Sequence, residues 1–155
     1  MKIVAIAIGK RHDSDIVAAV DDYSQRVQRY SAFEWQILPT AKGKMAPDEI
    51  KRLESAAIMS QLKDDDYIVL LDERGSQLSS NELAAMLERQ DMAASKRLVF
   101  VIGGAYGVAD EVMRRADLTW SLSKLVFPHQ LVRLILVEQL YRASTIRRGE
   151  PYHHE

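Results

Sequence analysis

The chain has 155 residues and a mass of 17.6 kDa, the size of one domain, large enough to bury a real core and small for a two-domain enzyme. Apolar residues make up 47% and charged residues 28%, which argues against a disordered, fibrous or membrane-embedded chain. With 21 Lys and Arg against 22 Asp and Glu, no overall field draws in nucleic acid, so any RNA or DNA contact must be local; no DNA partner is expected.

Met1 to Ile8 is apolar but stops at Gly9-Lys10-Arg11, too soon for a signal-peptide core or a membrane span; Lys2 to Ile8 therefore reads as a buried strand. An amphipathic helix follows Asp13 or Ser14 and runs towards Tyr30, with Ile16, Val17, Val20, Tyr23 and Val27 on one face. Phe33 to Leu38 reads as a second strand. Pro47 suits a first helical position, and Asp48 and Glu49 then sit at the positive end of that helix dipole. Tyr67 to Leu71 is a third strand. Ser79 and Glu82 have capping-box spacing for a helix ending near Gln90. Leu98 to Ile102 is a fourth strand, a short helix follows Asp110, and Leu118 to Ser121 is a brief fifth strand. Short β-branched runs alternating with amphipathic stretches predict an α/β domain with a largely parallel sheet.

The last helix begins at Pro128 and continues to about Arg147. Seven of the ten positions Leu131 to Leu140 are apolar, wider than one core-facing stripe. Two covered faces are implied, either both within the fold or one of them against a second subunit.

Leu98 to Ile102 empties into Gly103-Gly104-Ala105-Tyr106-Gly107, and Leu71-Asp72-Glu73-Arg74-Gly75 repeats the arrangement. Ligands of open α/β sheets bind at the carboxyl ends of strands, where glycine admits close approach to the backbone. Neither the dinucleotide nor the P-loop spacing is present. Three of the four histidines, His129, His153 and His154, lie in the C-terminal part, but none has the spacing of a helical metal site. Cysteine is absent, so no metal is expected, and the reducing cytoplasm fits.

Leu71-Asp72-x-x-Gly75, Phe100 to Gly104 with Gly107, Ser121-Leu122-Ser123, Pro128-His129-x-Leu131-x-Arg133, Glu138 to Ala143, and Gly149-x-Pro151-Tyr152-His153 together resemble the bacterial ribosomal RNA large subunit methyltransferase H family of the SPOUT superfamily. The resemblance covers essentially the whole chain. It implies one SPOUT domain over 1–155, an open, mostly parallel sheet with a C-terminal deep trefoil knot, and a functional tail at about 149–155. It further implies a homodimer and methylation of N3 of a pseudouridine in 23S ribosomal RNA within the ribosome, with S-adenosylmethionine as methyl donor. Carried over residue by residue, the donor meets Leu71, Gly103 and the loop Leu122, Ser123, Lys124, Leu125, Val126 and Phe127. Relatives often carry Thr where this chain has Val126, which removes a hydroxyl but leaves backbone contacts.

Since the sulfonium methyl is already electrophilic, the protein has mainly to align the reactants and remove the N3 proton. An imidazole, ordinarily titrating at about 6.5, is mostly neutral in the cytoplasm, which makes His153 the first candidate base and His129 the second, the latter equally suited to a structural place at a helix start. Arg142 offers a fork of donors to a phosphate or base carbonyl, and Tyr152 a ring to stack on the target base. Glu138, inside the last helix, is expected to pair with an arginine. The competing readings are a SPOUT methyltransferase with another RNA target and a catalytically silent ribosome-binding or assembly factor.

Overall fold

The computed structural model describes residues 1–154. In chain order it forms β1 (Lys2–Ile8), α1 (Val17–Gln28), β2 (Ala32–Leu38), α2 (Pro47–Gln61), β3 (Tyr67–Gln77), α3 (Ser80–Met92), β4 (Arg97–Ile102), α4 (Asp110–Arg115), β5 (Leu118–Ser121) and α5 (His129–Arg147). The five strands make one parallel sheet in the order β2-β1-β4-β3-β5. All five C-terminal ends therefore lie along one edge, where the glycine turns fall.

Helices cover both faces, which is why the central strands are continuously apolar instead of alternating. Ile3, Ala5 and Ala7 of β1, with Phe100 of β4, pack towards Val20 of α1, Leu83 and Leu87 of α3, and Leu136 and Leu140 of α5. Val4 and Ile6, with Val99 and Val101, face Ile58 of α2 and Val112 of α4. At the N-terminal edge Arg97 grips the buried Asp66 through both carboxylate oxygens, Nε to Oδ1 at 2.9 Å and Nη2 to Oδ2 at 2.8 Å. Burial, the largest influence, pushes the Asp66 carboxyl up, but the bonds from Arg97 and the Lys63 amide outweigh it and hold the group below the usual carboxylate range.

The predicted elements all form, with two changes of extent. The first helix starts at Val17, because the Ile16 and Val17 amides both close on the Asp13 carbonyl in a preceding turn. The third strand runs on to Gln77, with its pairing to β5 shifted between Leu71 and Ser76. Its second half is polar and holds no apolar run, so it reads as a turn in sequence. Gly75 permits it: a β-carbon there would overlap the Thr119 carbonyl and lie 2.7 Å from the Trp120 nitrogen. The Ser79 hydroxyl caps α3 as expected, accepting from the Glu82 amide at 3.0 Å.

The C-terminal helix buries Leu136, Val137, Leu140, Tyr141 and Ala143 within its own chain. It also buries Arg133, 1% exposed, whose guanidinium donates to the carbonyls of Lys10 at 2.8 Å and Ile8 at 3.3 Å and touches His12 Nδ1 at 3.4 Å. That clasp, with Gln130 accepting from the Asp13 amide at 3.0 Å, fastens the β1–α1 loop to the start of α5. Leu131 stays 37% exposed, and Leu134 and Ile135 are half-buried, so one flank of the wide apolar stripe is only partly covered by this chain. Among the described residues no helix is long and apolar enough to cross a membrane.

Candidate active site

A cavity of about 290 Å³ opens at the C-terminal edge of the sheet, between the ends of β3 and β4 and the loop that joins β5 to α5. Leu71, Asp72 and Glu73 form one wall, Gly103, Gly104 and Ala105 another, and Leu122, Leu125 and Phe127 a third, with His129 and Val132 of α5 closing the side. Gly104 and Gly107 form a small antiparallel bridge, the Gly107 amide donating to the Gly104 carbonyl at 3.0 Å, and Gly107 takes φ of 77°, the left-handed region that glycine tolerates. The glycine turn thus presents backbone, not side chains, to the cavity.

The loop opposite is shaped by its own serines. Ser121 Oγ donates to the Ser123 carbonyl at 2.9 Å, and Ser123 Oγ accepts from the Leu125 amide at 3.0 Å. Leu125 and Val126 are held outward, 70% and 82% exposed, while Phe127 is half-buried. Of the eight expected donor contacts, seven line this one cavity: Leu71, Gly103, Leu122, Ser123, Leu125, Val126 and Phe127. Lys124 lies on the same loop but is exposed and outside the lining.

The cavity suits a flat, largely apolar ligand that also meets backbone donors and acceptors. Leucine and phenylalanine carbon flanks it, glycine backbone offers donors and acceptors, and its charged lining residues are Asp72 and Glu73, with no lysine or arginine. Asp72 is engaged by Arg74, whose Nε and Nη2 each donate at 2.9 Å, and that pairing holds the Asp72 carboxyl below its ordinary range. No cluster of histidine, cysteine or carboxylates able to hold a metal occurs among the described residues.

His129 is the first residue of α5 and stands exposed at the cavity side. Arg142, Tyr152 and His153 gather elsewhere, around the other half of that helix. Arg142 donates to Glu138 Oε1 from Nε at 3.0 Å and Nη2 at 2.6 Å, a bond that raises its already high pKa, so Glu138 has the arginine partner expected for it. The Arg142 guanidinium lies over the Tyr152 ring, 4.7 Å from its centre. The Tyr152 hydroxyl donates to Glu138 Oε1 at 3.1 Å and meets the Tyr23 hydroxyl at 3.2 Å. Burial, then these neighbours, drive its pKa well above that of a free tyrosine. His153 Nδ1 lies 3.2 Å from Arg142 Nη1; since arginine can only donate, Nδ1 accepts.

His129 and Arg142 are 13 residues apart in one helix, about 20 Å at 1.5 Å per residue. The fold therefore brings the donor-type residues together and the tail residues together, but keeps the two groups at separate ends of α5. Two features of the site had no signal in the sequence. Val132 joins the lining through helical phase, and Glu54 of α2, 4% exposed, reaches the back of Gly104 from a helix that looks unremarkable in sequence.

A five-stranded parallel sheet flanked by helices, with glycine turns and a cavity along one edge, is consistent with the fold of a SPOUT methyltransferase, and the comparison with known proteins shows that class. A family model described as "Predicted SPOUT methyltransferase" matches residues 1–153, and the chain belongs to that family. Similar proteins carrying the name ribosomal RNA large subunit methyltransferase H include those of Christiangramia forsetii, 45% identical over 99% of both chains, Bacteroides thetaiotaomicron, 41% identical over the full length of both, and Parabacteroides distasonis, 42% identical over the full length of both.

Proposed function

We propose that this protein transfers a methyl group from S-adenosylmethionine to N3 of a pseudouridine in 23S ribosomal RNA, acting as a cytoplasmic homodimer on the assembled ribosome. The observation that carries the reading is the convergence of seven residues from three separate segments, implied as donor contacts by family resemblance, on one cavity at the strand ends. Relatives at 40–45% identity bear a name that specifies large-subunit ribosomal RNA. The pseudouridine target and the trefoil knot come from the resemblance, and a near-neutral chain favours a preassembled particle over free RNA as the partner.

The donor supplies an electrophilic methyl carbon on a positively charged sulfur. Leu71, Leu122 and Phe127 would flank its adenine, with backbone at Gly103 placed against it. With the donor bound, N3 of the target would give its proton to His153 and bond to the methyl carbon as the carbon–sulfur bond breaks, and the thioether S-adenosylhomocysteine would leave. His153 can accept that proton only by exchanging its bond to Arg142 for one to the substrate, which leaves the guanidinium to a phosphate or base carbonyl. Tyr152 would offer its ring to the pyrimidine.

The separation along α5 supports a shared site. A tail anchored on Glu138 and Arg142 is about 20 Å of helix from the donor cavity of its own chain, whereas a two-fold partner packed on the half-covered Leu131–Ile135 flank could bring its own tail there. Methyl transfer measured on ribosomes with and without the pseudouridine tests the assignment. Incorporation confined to pseudouridine-containing ribosomes is expected; equal incorporation into both, or none into either, rejects it.

A further inference from the structure

Behind the glycine turn lies a carboxylate that the proposed reaction does not use. Glu54 is 4% exposed, in the middle of α2. Its Oε2 accepts from the Thr40 hydroxyl at 2.6 Å, while its Oε1 is buried with no hydrogen-bond partner. No lysine or arginine forms an ion pair with it among the described residues. A buried carboxylate with one oxygen unsatisfied and no countercharge is costly, so Glu54 is not an ordinary packing residue of α2.

The carboxylate abuts Gly104. A β-carbon at Gly104 would overlap Oε1 and lie 3.0 Å from Cδ, so the absence of a side chain at this position lets Glu54 press against the turn. Gly104 itself lines the donor cavity, so one residue touches both the carboxylate and that space. The next residue on α2 secures the far end of the same turn, the buried Ser55 Oγ accepting from the Ala109 amide at 2.8 Å. Helix α2 thus braces the turn at both ends, but a serine hydroxyl suffices for bracing and carries no charge. An acid at Glu54 adds a negative field directed at the cavity wall.

We propose that Glu54 is the specificity-determining residue that makes this cavity prefer a cationic sulfonium donor over its neutral thioether product. The proposal rests on the reading of the cavity as the S-adenosylmethionine site. The two ligands differ by one methyl and one positive charge, so apolar walls and backbone bonds hold them almost equally. Asp72 is largely neutralised by Arg74, and Glu73 is exposed to solvent that screens it. Glu54, buried and without a lysine or arginine partner among the described residues, is screened least, and after transfer its attraction for the ligand falls, which favours release of product.

The test is calorimetric titration of wild type, Glu54→Gln and Glu54→Asp with S-adenosylmethionine and with S-adenosylhomocysteine. Gln keeps an acceptor for Thr40 but not the charge. The expected result is a loss of about tenfold in affinity for S-adenosylmethionine in E54Q, the scale of one screened charge pair, with S-adenosylhomocysteine changed less than twofold and E54D close to wild type. A purely structural role would weaken both ligands together. Parallel loss of both, or no change in either, overturns the proposal while leaving the cavity assignment standing. Failure of the wild type to bind either ligand overturns the cavity assignment, and the proposal with it. Should E54Q not fold, Glu54→Met, of similar volume and without charge, is titrated in its place against the same outcomes.

Discussion

Gly75 of β3 runs so close to Thr119 of β5 that a single added carbon would overlap the Thr119 carbonyl. Both contacting groups are backbone, so neither can swing aside as a side chain could. Gly75→Ala should therefore prise apart the β3–β5 pairing and destabilise the protein by about 2–4 kcal/mol, in the range of forced overpacking or a strained backbone. Urea unfolding followed by circular dichroism measures this; a midpoint equal to wild type would show that the strands can separate without cost.

Gly103, like Gly75 and Gly104, has no room for a side chain. Its β-carbon would lie 2.8 Å from Val108 Cγ1, at the cavity wall. Gly103→Val should lower S-adenosylmethionine affinity at least tenfold, since a branched side chain takes the place of ligand contacts, while circular dichroism shows a folded protein. Unchanged affinity in calorimetry would move the donor elsewhere.

The half-covered flank of α5 predicts a subunit contact. Leu131→Glu places a charge on an apolar surface that the chain alone leaves 37% exposed. Sedimentation at micromolar concentration should show wild-type dimer and mutant monomer; a wild-type monomer would remove the shared site as well.

The shared site itself is open to a complementation measurement. Deleting Pro151 to Glu155 should preserve donor binding and dimerisation but abolish methyl transfer. A mixed dimer of one Gly103→Val chain and one tail-deleted chain should recover one working site, the intact cavity of the second chain served by the intact tail of the first. Complete inactivity of a verified mixed dimer would return the tail to a role within its own subunit.

Acid sensitivity should trace to Asp66. Its folded pKa lies below the ordinary value of about 3.9, so the stability it contributes is fully present above that value and is lost as pH falls through it towards the lower folded value. Asp66→Asn should cost about 3 kcal/mol at neutral pH by leaving Arg97 without its partner, and the gap to wild type should narrow below about pH 4. Urea midpoints between pH 3 and 7 give both quantities; a gap independent of pH would show that Asp66 is not held in its charged form by Arg97.

The sheet was legible because the strands are buried on both faces and therefore written as unbroken apolar runs, and helix starts were legible at Pro47, Ser79 and Pro128, where local chemistry dictates them. The extension of β3 was not, because Asp72 to Gln77 carry no apolar pattern and their strand conformation depends on a backbone approach at Gly75 from residues more than forty positions away. Most of the cavity lining was named from motifs that fall on loops at the sheet edge. Arg133 and Glu54 show the limit: a helical sequence gives the phase of a side chain but not the carbonyls or glycine it will meet across the fold, so a buried charge there looks like an ordinary surface residue.

The clasp at Arg133 has a consequence for how the chain is made. Its bonds to Ile8 and Lys10 join residues 125 and 123 positions apart, and β1, first to be synthesised, lies between β2 and β4 in the finished sheet. A nascent chain can close only the β1–β2 pair early; one side of β1 stays open until β4 arrives, and the loop after β1 stays unfastened until α5 is complete. Such long-range closure slows folding and exposes apolar strand edges in the interim. Closure of the sheet around β1 and of the loop after it therefore waits for β4 and α5, both of which follow β1 by most of the sequence.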